Sequence, residues 1–471
     1  MKRLLLLFLL LPLLGFAQSI EFDKQLGAKN AEQVEQQMEL SSDQQKIAYI
    51  KKVGQRLVAQ LDNPLFEYKF HLVEEPSPNA FALPGGYIYI TTGLIPVLNT
   101  EDELACIMGH EIIHSNNRHS VKQLKKSIVP KLLEVPGNLI GLIDENLGSF
   151  LNLGIETSNS LLLASYGRKF ETEADQVGVQ LAAKAGYDPA AMINALTRLS
   201  ASIEVVTNQK ETKSYFNDHP YTPNRARSIE KTMRGMNWTA GSKISENFLM
   251  EFDGTPFGSN PKNGIIQDRR FLHPELKFAV DFPDNWEIQN QSDQLVGIHE
   301  SQELAAVITL EDPALSPEDA AQAFFRNLKP QYADKLSGFD NYQAGNRQGY
   351  LLSFEDQIDG KTMYAYALWI PLQDKLFRVI GIAPLDQRNR VYEIADRLRP
   401  ITQAELRSIK FQQLKIVEAR DGETLTALSS RTANELDLAL TRTINDKLEG
   451  EKLKAGEFVK IVRSYPYFSE R

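Results

Sequence analysis

The sequence has a single cysteine, Cys106, among its 471 residues. One cysteine excludes any disulfide within the chain, and it excludes the class of small secreted domains that depend on disulfides. Hydrophobic residues make up 42% of a chain long enough for several cores. We therefore expect the fold to be held by buried apolar side chains rather than by covalent cross-links.

Positive charge is also in short supply. Lys and Arg together number 52 against 61 Asp and Glu, which gives a formal net charge of −9 at pH 7. An acidic chain without a strongly basic tract is a poor binder of nucleic acid. We therefore expect no nucleic-acid partner.

Long apolar runs occur only at the start of the sequence, MKRLLLLFLLLPLLGFAQ. Two basic residues precede the apolar run 4–14, and the small residues Gly15-Phe16-Ala17 follow it. This order predicts a signal peptide at residues 1–17, cut after Ala17, with an uncleaved anchor as the alternative. Because no later run has transmembrane length, we expect no transmembrane span in the mature chain.

Three of the seven histidines lie in the run IMGHEIIHSNNRH, residues 107–119. The run continues a helix that is predicted to open at Thr100-Glu101-Asp102-Glu103, a pattern typical of a helix N-terminus. His110 and His114 are four apart, so both rings lie on one helix face, with β-carbons about 5–6 Å apart. Two such imidazoles can bind one Zn²⁺, and Glu111 can take a proton from the attacking water.

A hydrolytic zinc site needs a third protein ligand and one open position. The segment RKFETEADQVG, residues 168–178, begins a second predicted helix over 168–185. Glu171 and Asp175 share a face of that helix, so one carboxylate can bind zinc while the other accepts a hydrogen bond from a ligand histidine. Taken alone, the acidic run also fits a solvated helix N-terminus.

The order of these motifs resembles that of a known family. HEIIH, then FETEAD, then HPYTPNR at 219–225, with NAFALPGGYIYITTGLI at 79–95 before them, are similar to the signatures of metallopeptidase family forty-eight. That family holds HtpX-like heat-shock proteases, CAAX prenyl proteases and periplasmic proteases of outer-membrane quality control. The resemblance covers roughly residues 30–236, and the chain looks most like the exported, soluble branch.

The resemblance implies one zinc ion per chain, bound by His110, His114 and Glu171. It implies that Glu111 is the general base and that Asp175 accepts a hydrogen bond from a ligand histidine.

The motif HPYTPNR supplies two more candidate site residues, His219 and Arg225. In the family these face the active site, where they stabilise the oxyanion or cover the metal in a resting state. One departure is Tyr166-Gly167-Arg168, which stands where relatives often have Tyr-Ser-Arg. We therefore expect no serine hydrogen bond at this point, and the implied ligands are not affected.

The function implied is that of an exported, periplasmic zinc endopeptidase that cleaves misfolded or stalled envelope proteins. The alternative is a chaperone-like or peptidoglycan-binding envelope protein whose zinc site is latent or structural. A purely structural zinc is usually closed by four protein ligands. His219 would supply the fourth ligand in that alternative.

Three further features near the motif have two interpretations each. Cys106, four residues before His110, is either a metal ligand or a buried thiol, and the buried thiol is favoured. His119 lies about 140° from His114 on a continued helix, so we expect a structural role. If YIYI, residues 87–90, is an edge strand above the zinc, substrate can pair with it; the alternative is a plain hairpin.

The predicted fold class is a multidomain protein. A mainly α zincin-type metalloprotease domain with a small β-sheet is expected over 18–250, followed by a linker rich in Gly, Pro, Asn and Ser. Alternating strands with two helical stretches predict an α+β accessory domain over 265–410, which vaguely resembles PsbP-type domains.

The last segment, residues 413–471, resembles a small βααβ LysM module. The resemblance rests on ARDGETLTALSSRT, then Asn445, then LKAGEFVKIV. LysM modules usually bind glycans that contain N-acetylglucosamine, which implies peptidoglycan as a partner. The alternative is a degenerate module that packs on its own protease domain.

Overall fold

A computed structural model of the chain describes most residues from 19 to 468. The described ranges are 19–123, 166–207, 219, 223–238, 247–291, 293–301, 303–328, 335–358 and 360–468. The predicted signal peptide, residues 1–17, lies outside them.

The described residues form two compact units, so the expectation of a multidomain chain is confirmed. The first unit contains the described residues up to 258 together with 412–465. The second contains 259–411 and 466–468, and it is rich in strands. The predicted third domain, 413–471, therefore divides between the two units, with most of it in the first.

The first unit is built from helices around a small sheet. Its helices are α1 (Ile20–Gln37), α2 (Gln44–Val58), α3 (Glu101–Asn116), α4 (Arg168–Lys184), α5 (Ala191–Thr207), α6 (Pro223–Arg234) and α7 (Phe248–Glu251). Its first strands are β1 (Lys69–Val73), β2 (Ala80–Leu83), β3 (Tyr87–Thr91) and β4 (Pro256–Phe257). Among the described helices of the chain, none has the length and apolar character needed to cross a membrane.

The small sheet has the order β1-β3-β2, with β1 parallel and β2 antiparallel to the central β3. YIYI is therefore not an edge strand, because both sides of β3 are paired within the sheet, and the condition for substrate pairing with YIYI is not met. Strand β2 lies at an edge instead. The parallel partner of β3 is β1, which precedes β2 in the chain. A local strand pattern does not show a pairing of this range.

Helix α3 runs through the centre of the first core, and α4 crosses it closely. Fourteen of the sixteen residues of α3 are buried, so this helix is surrounded on all sides rather than amphipathic. The crossing is close because two glycines face each other: a β-carbon at Gly178 would lie 2.9 Å from the backbone nitrogen of His110, and one at Gly109 would lie 3.0 Å from the Gly178 carbonyl oxygen. This contact brings the backbones of the two predicted motif helices together.

The second unit contains two antiparallel sheets. The larger has the order β11-β12-β13-β14-β10-β9-β8 and the smaller β15-β7-β6-β5. The strands are β5 (Ile265–Gln267), β6 (Arg270–His273), β7 (Phe278–Asp281), β8 (Trp286–Asn290), β9 (Gln294–His299), β10 (Ala305–Glu311), β11 (Leu336–Ala344), β12 (Arg347–Ile358), β13 (Lys361–Leu372), β14 (Lys375–Pro384) and β15 (Leu398–Pro400). The helices are α8 (Pro317–Asn327), α9 (Arg388–Asp396) and α10 (Gln403–Ser408).

The C-terminal segment has the element order β-α-α-β. It consists of β16 (Lys410–Glu418), α11 (Leu425–Thr432), α12 (Leu438–Ile444) and β17 (Phe458–Pro466), with β16 paired to both β17 and β4. Lys460 of β17 is fully buried and donates hydrogen bonds to the carbonyl oxygens of Pro96 and Leu98, at 2.6 and 2.9 Å. The segment therefore packs against the turn that leads into α3.

Candidate metal centre

Helix α3 carries the first three site residues, and its start is the predicted one. Thr100 caps the helix, because its hydroxyl accepts a hydrogen bond from the Glu103 backbone nitrogen at 3.2 Å. His110, Glu111 and His114 follow about three to four turns later and are fully buried. A side chain held mid-helix in a close-packed core has a well-defined direction, and both histidine rings point toward α4.

Helix α4 carries Glu171 and Asp175 on its buried face, with 4% and 1% of their surfaces exposed. The predicted boundaries of this helix are confirmed, since it ends at Lys184 and Gly186 follows with a φ of +87°. Glu171 Oε1 lies 3.3 Å from His114 Nε2. Residues 57 positions apart in sequence thus meet in one buried cluster.

Four side chains converge at this point, namely His110, His114, Glu171 and His219. Their ligand atoms all lie within 4.8 Å of one another, and all four residues are buried. This group includes the three proposed zinc ligands and the histidine of HPYTPNR.

The spacing of the donor atoms fits a tetrahedral metal site. Metal–ligand bonds of about 2.0–2.1 Å give distances of roughly 3.3 Å between neighbouring ligand atoms. His110 Nε2 lies 2.9 Å from His114 Nε2 and 3.2 Å from His219 Nδ1, and Glu171 Oε1 lies 3.0 Å from His219 Nδ1. Three imidazole nitrogens and one carboxylate also match the donor types that zinc prefers.

The charges of the cluster favour a cation as well. Burial opposes ionisation of Glu171, but the His219 charge and hydrogen bonds from His114 and His219 outweigh it, so the Glu171 pKa lies well below its usual value. Burial favours the neutral ring of His219, yet the charges of Glu171 and Glu111 raise its pKa to about 9. Burial lowers the pKa of His110 and His114, which keeps these two rings neutral and able to bind a metal.

Asp175 and Arg225 lie behind the cluster. Asp175 Oδ1 is 3.0 Å from His110 Nδ1, the nitrogen that faces away from the cluster. Arg225 donates from Nε and Nη2 to the two Asp175 oxygens at 2.8 and 2.7 Å, and from Nη1 to the His219 carbonyl oxygen at 3.0 Å. Arg225 thus connects Asp175 to the backbone of His219, and its Nη1 lies 3.6 Å from Glu171 Oε2.

His119 lies closer to the site than a helical repeat places it. Helix α3 ends at Asn116, and Arg118 has a φ of +58°, so the chain turns before His119. The His119 ring is fully buried, and its Nδ1 lies 3.0 Å from His114 Nδ1. His119 thus lies outside the four-residue cluster, as predicted, but it contacts a ligand ring that a continued helix would not have brought it to.

Tyr166 is a contact residue that sequence reasoning missed. Its ring stacks on His114 with centroids 3.9 Å apart, and its hydroxyl lies 2.7 Å from Ser120 Oγ. The neighbouring Gly167 caps α4 without a side-chain hydrogen bond. This is the position at which relatives often have serine, a residue that caps helices well.

Cys106 does not belong to the cluster. It is fully buried, and its thiol contacts the carbonyl oxygen of Asp188 at 3.4 Å. Burial raises the pKa of this thiol strongly, which keeps it protonated. Metal binding requires the thiolate, so the favoured interpretation of Cys106 as a buried thiol agrees with its surroundings.

Comparison with known proteins finds relatives of part of the first unit. Residues 44–233 match the model of peptidase family M48. The mitochondrial metalloendopeptidase OMA1 of Schizosaccharomyces pombe is 31% identical over 188 residues, which are 39% of this chain and 52% of that protein. The beta-barrel assembly-enhancing protease of Escherichia coli is 28% identical over 189 residues, 39% of each chain. The chain thus spans about half or less of the length of these relatives.

The comparison with solved structures gives a weaker match. A solution structure of cyanobacterial PsbP from Synechocystis is matched over 30% of this chain and 98% of its own length, with 11% identity and a TM-score of 0.24. A score of this size supports no assignment, so the PsbP-like interpretation stays a prediction.

The family match covers the helices and strands that build the buried His-Glu cluster, and its relatives are metalloendopeptidases. Residues 44–233 of this chain therefore form a domain of peptidase family M48.

Proposed function

We propose that the protein is an exported zinc-dependent endopeptidase with a zincin-type catalytic domain. The observation that carries the proposal is the meeting of His110, His114 and Glu171 at spacings that suit one tetrahedral zinc ion, with Glu111 buried beside them. Zinc, when bound there, supplies a Lewis acid that activates water and polarises the scissile carbonyl.

The remaining chemistry belongs to the side chains of the chain itself. Glu111 follows His110 directly on a rigid, buried helix, so its carboxylate can take a proton from the attacking water and pass it to the leaving amine. Asp175 fixes the hydrogen of His110 on Nδ1, which leaves the Nε2 lone pair facing the cluster. Arg225 holds Asp175 in place and acts through it.

Glu111→Gln tests the mechanism. The variant keeps the shape of the side chain and all zinc ligands but cannot accept the proton. We expect it to bind zinc and to cleave casein, an unfolded substrate, on the order of 10²–10⁴-fold more slowly than the wild-type protein. Glu230→Gln, on the exposed side of α6, is the matched control and should retain full activity. Full activity of Glu111→Gln rules out this mechanism.

A second candidate function is supported by the position of His219. Its Nδ1 lies where a fourth ligand would, and its Nε2 is 3.5 Å from Glu111 Oε1, so the ring contacts both the ligand group and the base. This arrangement favours the resting-state cover over an oxyanion donor, and it is also what a latent or structural zinc site needs. In that case the protein would act as a chaperone-like or peptidoglycan-binding protein.

His219→Ala separates these roles. If the ring covers the metal, its removal raises casein cleavage; if the ring stabilises the oxyanion, cleavage falls while zinc affinity changes little. If neither the wild-type protein nor this variant cleaves casein in a chelator-sensitive manner, the latent or structural site is the correct interpretation.

The proposed substrates and location are supported by a relative and by a motif near the start of the sequence. A relative is named for its role in beta-barrel assembly, and residues 1–17 have the pattern of a signal peptide. The first supports our proposal that the substrates are misfolded or stalled envelope proteins, and the second supports export to the periplasm. Mass spectrometry of the exported protein should show an N-terminus at Gln18, and an intact N-terminus would contradict the cleavage site.

The C-terminal LysM-like segment is proposed to pack on the protease domain rather than to hold the protein on peptidoglycan. Lys460 is one such packing contact, and Arg198 of α5 is a second. Arg198 donates from Nη1 to Glu103 Oε2 of α3 at 2.7 Å and from Nε to Asp446 Oδ1 of the segment at 2.8 Å. These contacts use polar groups that a free module would keep in water. Sedimentation with purified peptidoglycan tests the choice: we expect the protein to stay in the supernatant.

A further inference from the structure

The ring of His114 has its own contacts on the side that faces away from the cluster. Its Nε2 points to His110 and Glu171, while its Nδ1 lies 3.0 Å from Nδ1 of His119. On the far side of His119, its Nε2 lies 3.7 Å from Glu173 Oε2. His114, His119 and Glu173 therefore form a row that leads from the cluster toward the surface.

Only one arrangement of hydrogens lets His114 bind a metal through Nε2 and donate a hydrogen bond to His119 through Nδ1. A neutral imidazole carries one hydrogen and one lone pair. If the lone pair of His114 Nε2 faces the cluster, its hydrogen is on Nδ1 and is donated to His119 Nδ1. His119 must then carry its own hydrogen on Nε2, the nitrogen that faces the Glu173 carboxylate. The separation of 3.7 Å is longer than a direct hydrogen bond, so Glu173 acts through its charge.

We propose that His119 is a positioning residue that orients the His114 ring and fixes its hydrogen on Nδ1, an inference that rests on the proposed zinc function. The two ligand histidines are then supported differently. His110 donates directly to a carboxylate, Asp175, whereas His114 donates to a neutral imidazole that is itself backed by Glu173.

The surrounding side chains hold His119 in this position. Its ring stacks on Phe170 of α4 with centroids 4.6 Å apart and an interplanar angle of 23°. Glu173 is held in turn, because its Oε1 accepts a hydrogen bond from Asn117 Nδ2 at 2.7 Å. The ring of His119 is thus fixed by the same helix that supplies the ligand Glu171.

A purely space-filling role for His119 makes different predictions from a positioning role. His119→Phe keeps a flat ring that can stack on Phe170 but has no acceptor for the His114 hydrogen. His119→Asn loses the ring but places an oxygen near the former Nδ1. If His119 only fills space, His119→Phe keeps zinc affinity and His119→Asn loses it. If His119 positions His114, His119→Phe loses zinc affinity and His119→Asn keeps most of it.

The test is zinc affinity, measured on the folded full-length protein by competition with a coloured chelator. We expect His119→Phe to bind zinc on the order of 10–100-fold more weakly than wild type, and His119→Asn to recover most of that loss. His71→Phe is the matched control, because His71 also stacks on an aromatic ring, Tyr89 at 4.8 Å, but lies outside the cluster. Its zinc affinity should be unchanged.

The visible spectrum of the cobalt-substituted protein gives a second measurement that does not depend on activity. We expect the cobalt bands of His119→Phe to shift and those of His119→Asn to stay near wild type. Should His119→Phe fail to fold, Glu173→Gln, which leaves His119 in place, is expected to shift the bands in the same direction by less. Wild-type zinc affinity and an unchanged cobalt spectrum in both His119→Phe and Glu173→Gln would overturn the positioning role and leave the zinc function standing. A wild-type protein that binds no zinc would overturn both.

Discussion

Replacing Gly178 by alanine tests how closely the two ligand-bearing helices must approach. A β-carbon at this position would lie 2.9 Å from the backbone nitrogen of His110 and 3.0 Å from its Cα, whereas ordinary contacts begin at 3.4 Å. The helices α3 and α4 must therefore separate by about 0.5 Å, the difference between 3.4 and 2.9 Å. Both neighbouring atoms belong to the backbone, so no side-chain rotation can relieve the clash.

The separation acts directly on the proposed zinc site, because His110 lies on one helix and Glu171 on the other. Ligand distances in a metal site tolerate changes of only about 0.2 Å. We expect Gly178→Ala to weaken zinc binding on the order of 10–100-fold, the range seen when ligand orientation is disturbed. Overpacking of the core should also cost about 1–3 kcal/mol in the free energy of unfolding.

Zinc affinity by chelator competition and stability by denaturant unfolding are the two measurements. Gly54→Ala is the matched control: its β-carbon would lie 2.4 Å from the Phe70 ring, in the same core but away from the crossing of α3 and α4. We expect this control to lose stability while keeping its zinc affinity. Equal zinc affinity in Gly178→Ala and wild type would refute the reasoning, and so would an equal loss in the control.

Three further predictions concern the surroundings of the site. Asp175→Asn should lower zinc affinity on the order of 10–100-fold in the same competition assay, because an amide accepts more weakly from His110; unchanged affinity would argue against the role of Asp175. Lys460→Met should lower the free energy of unfolding by about 1–3 kcal/mol, because two buried carbonyl groups lose their hydrogen-bond donor. Lys454→Met, at an exposed position, is the control and should leave the free energy of unfolding unchanged. An unchanged free energy of unfolding in Lys460→Met would contradict the packing role. Gly167→Ser should raise the free energy of unfolding by a few tenths of a kcal/mol, because serine can cap α4, and a decrease would contradict the capping argument.

The helices that carry the site could be predicted from sequence because their signals are local. Thr100 and the acids after it mark the start of α3, and Gly186 marks the end of α4. The spacing of His110 and His114 fixes their common face once the helix is given. The break between α1 and α2 has no such local signal, because Leu40 forms a bridge there with Val73 of β1, more than thirty residues later.

The features that sequence reasoning missed depend on contacts between distant parts of the chain. The contact between His119 and His114 was missed because the helical repeat stops at Asn116, and the turn at Arg118 brings His119 back to the His114 ring. The central position of β3 depends on a parallel partner that precedes it by a full strand. The close approach at Gly178 could have been suspected from a glycine one turn after EAD, but only the crossing shows which backbone it faces.

The most direct test of the central claim is a diffraction experiment at the zinc absorption edge on crystals of the purified full-length protein. We expect one strong anomalous peak per chain, about 2.0–2.2 Å from His110 Nε2, His114 Nε2 and a Glu171 oxygen. A peak bound elsewhere in the chain, or none at this cluster in zinc-supplemented crystals, would contradict it.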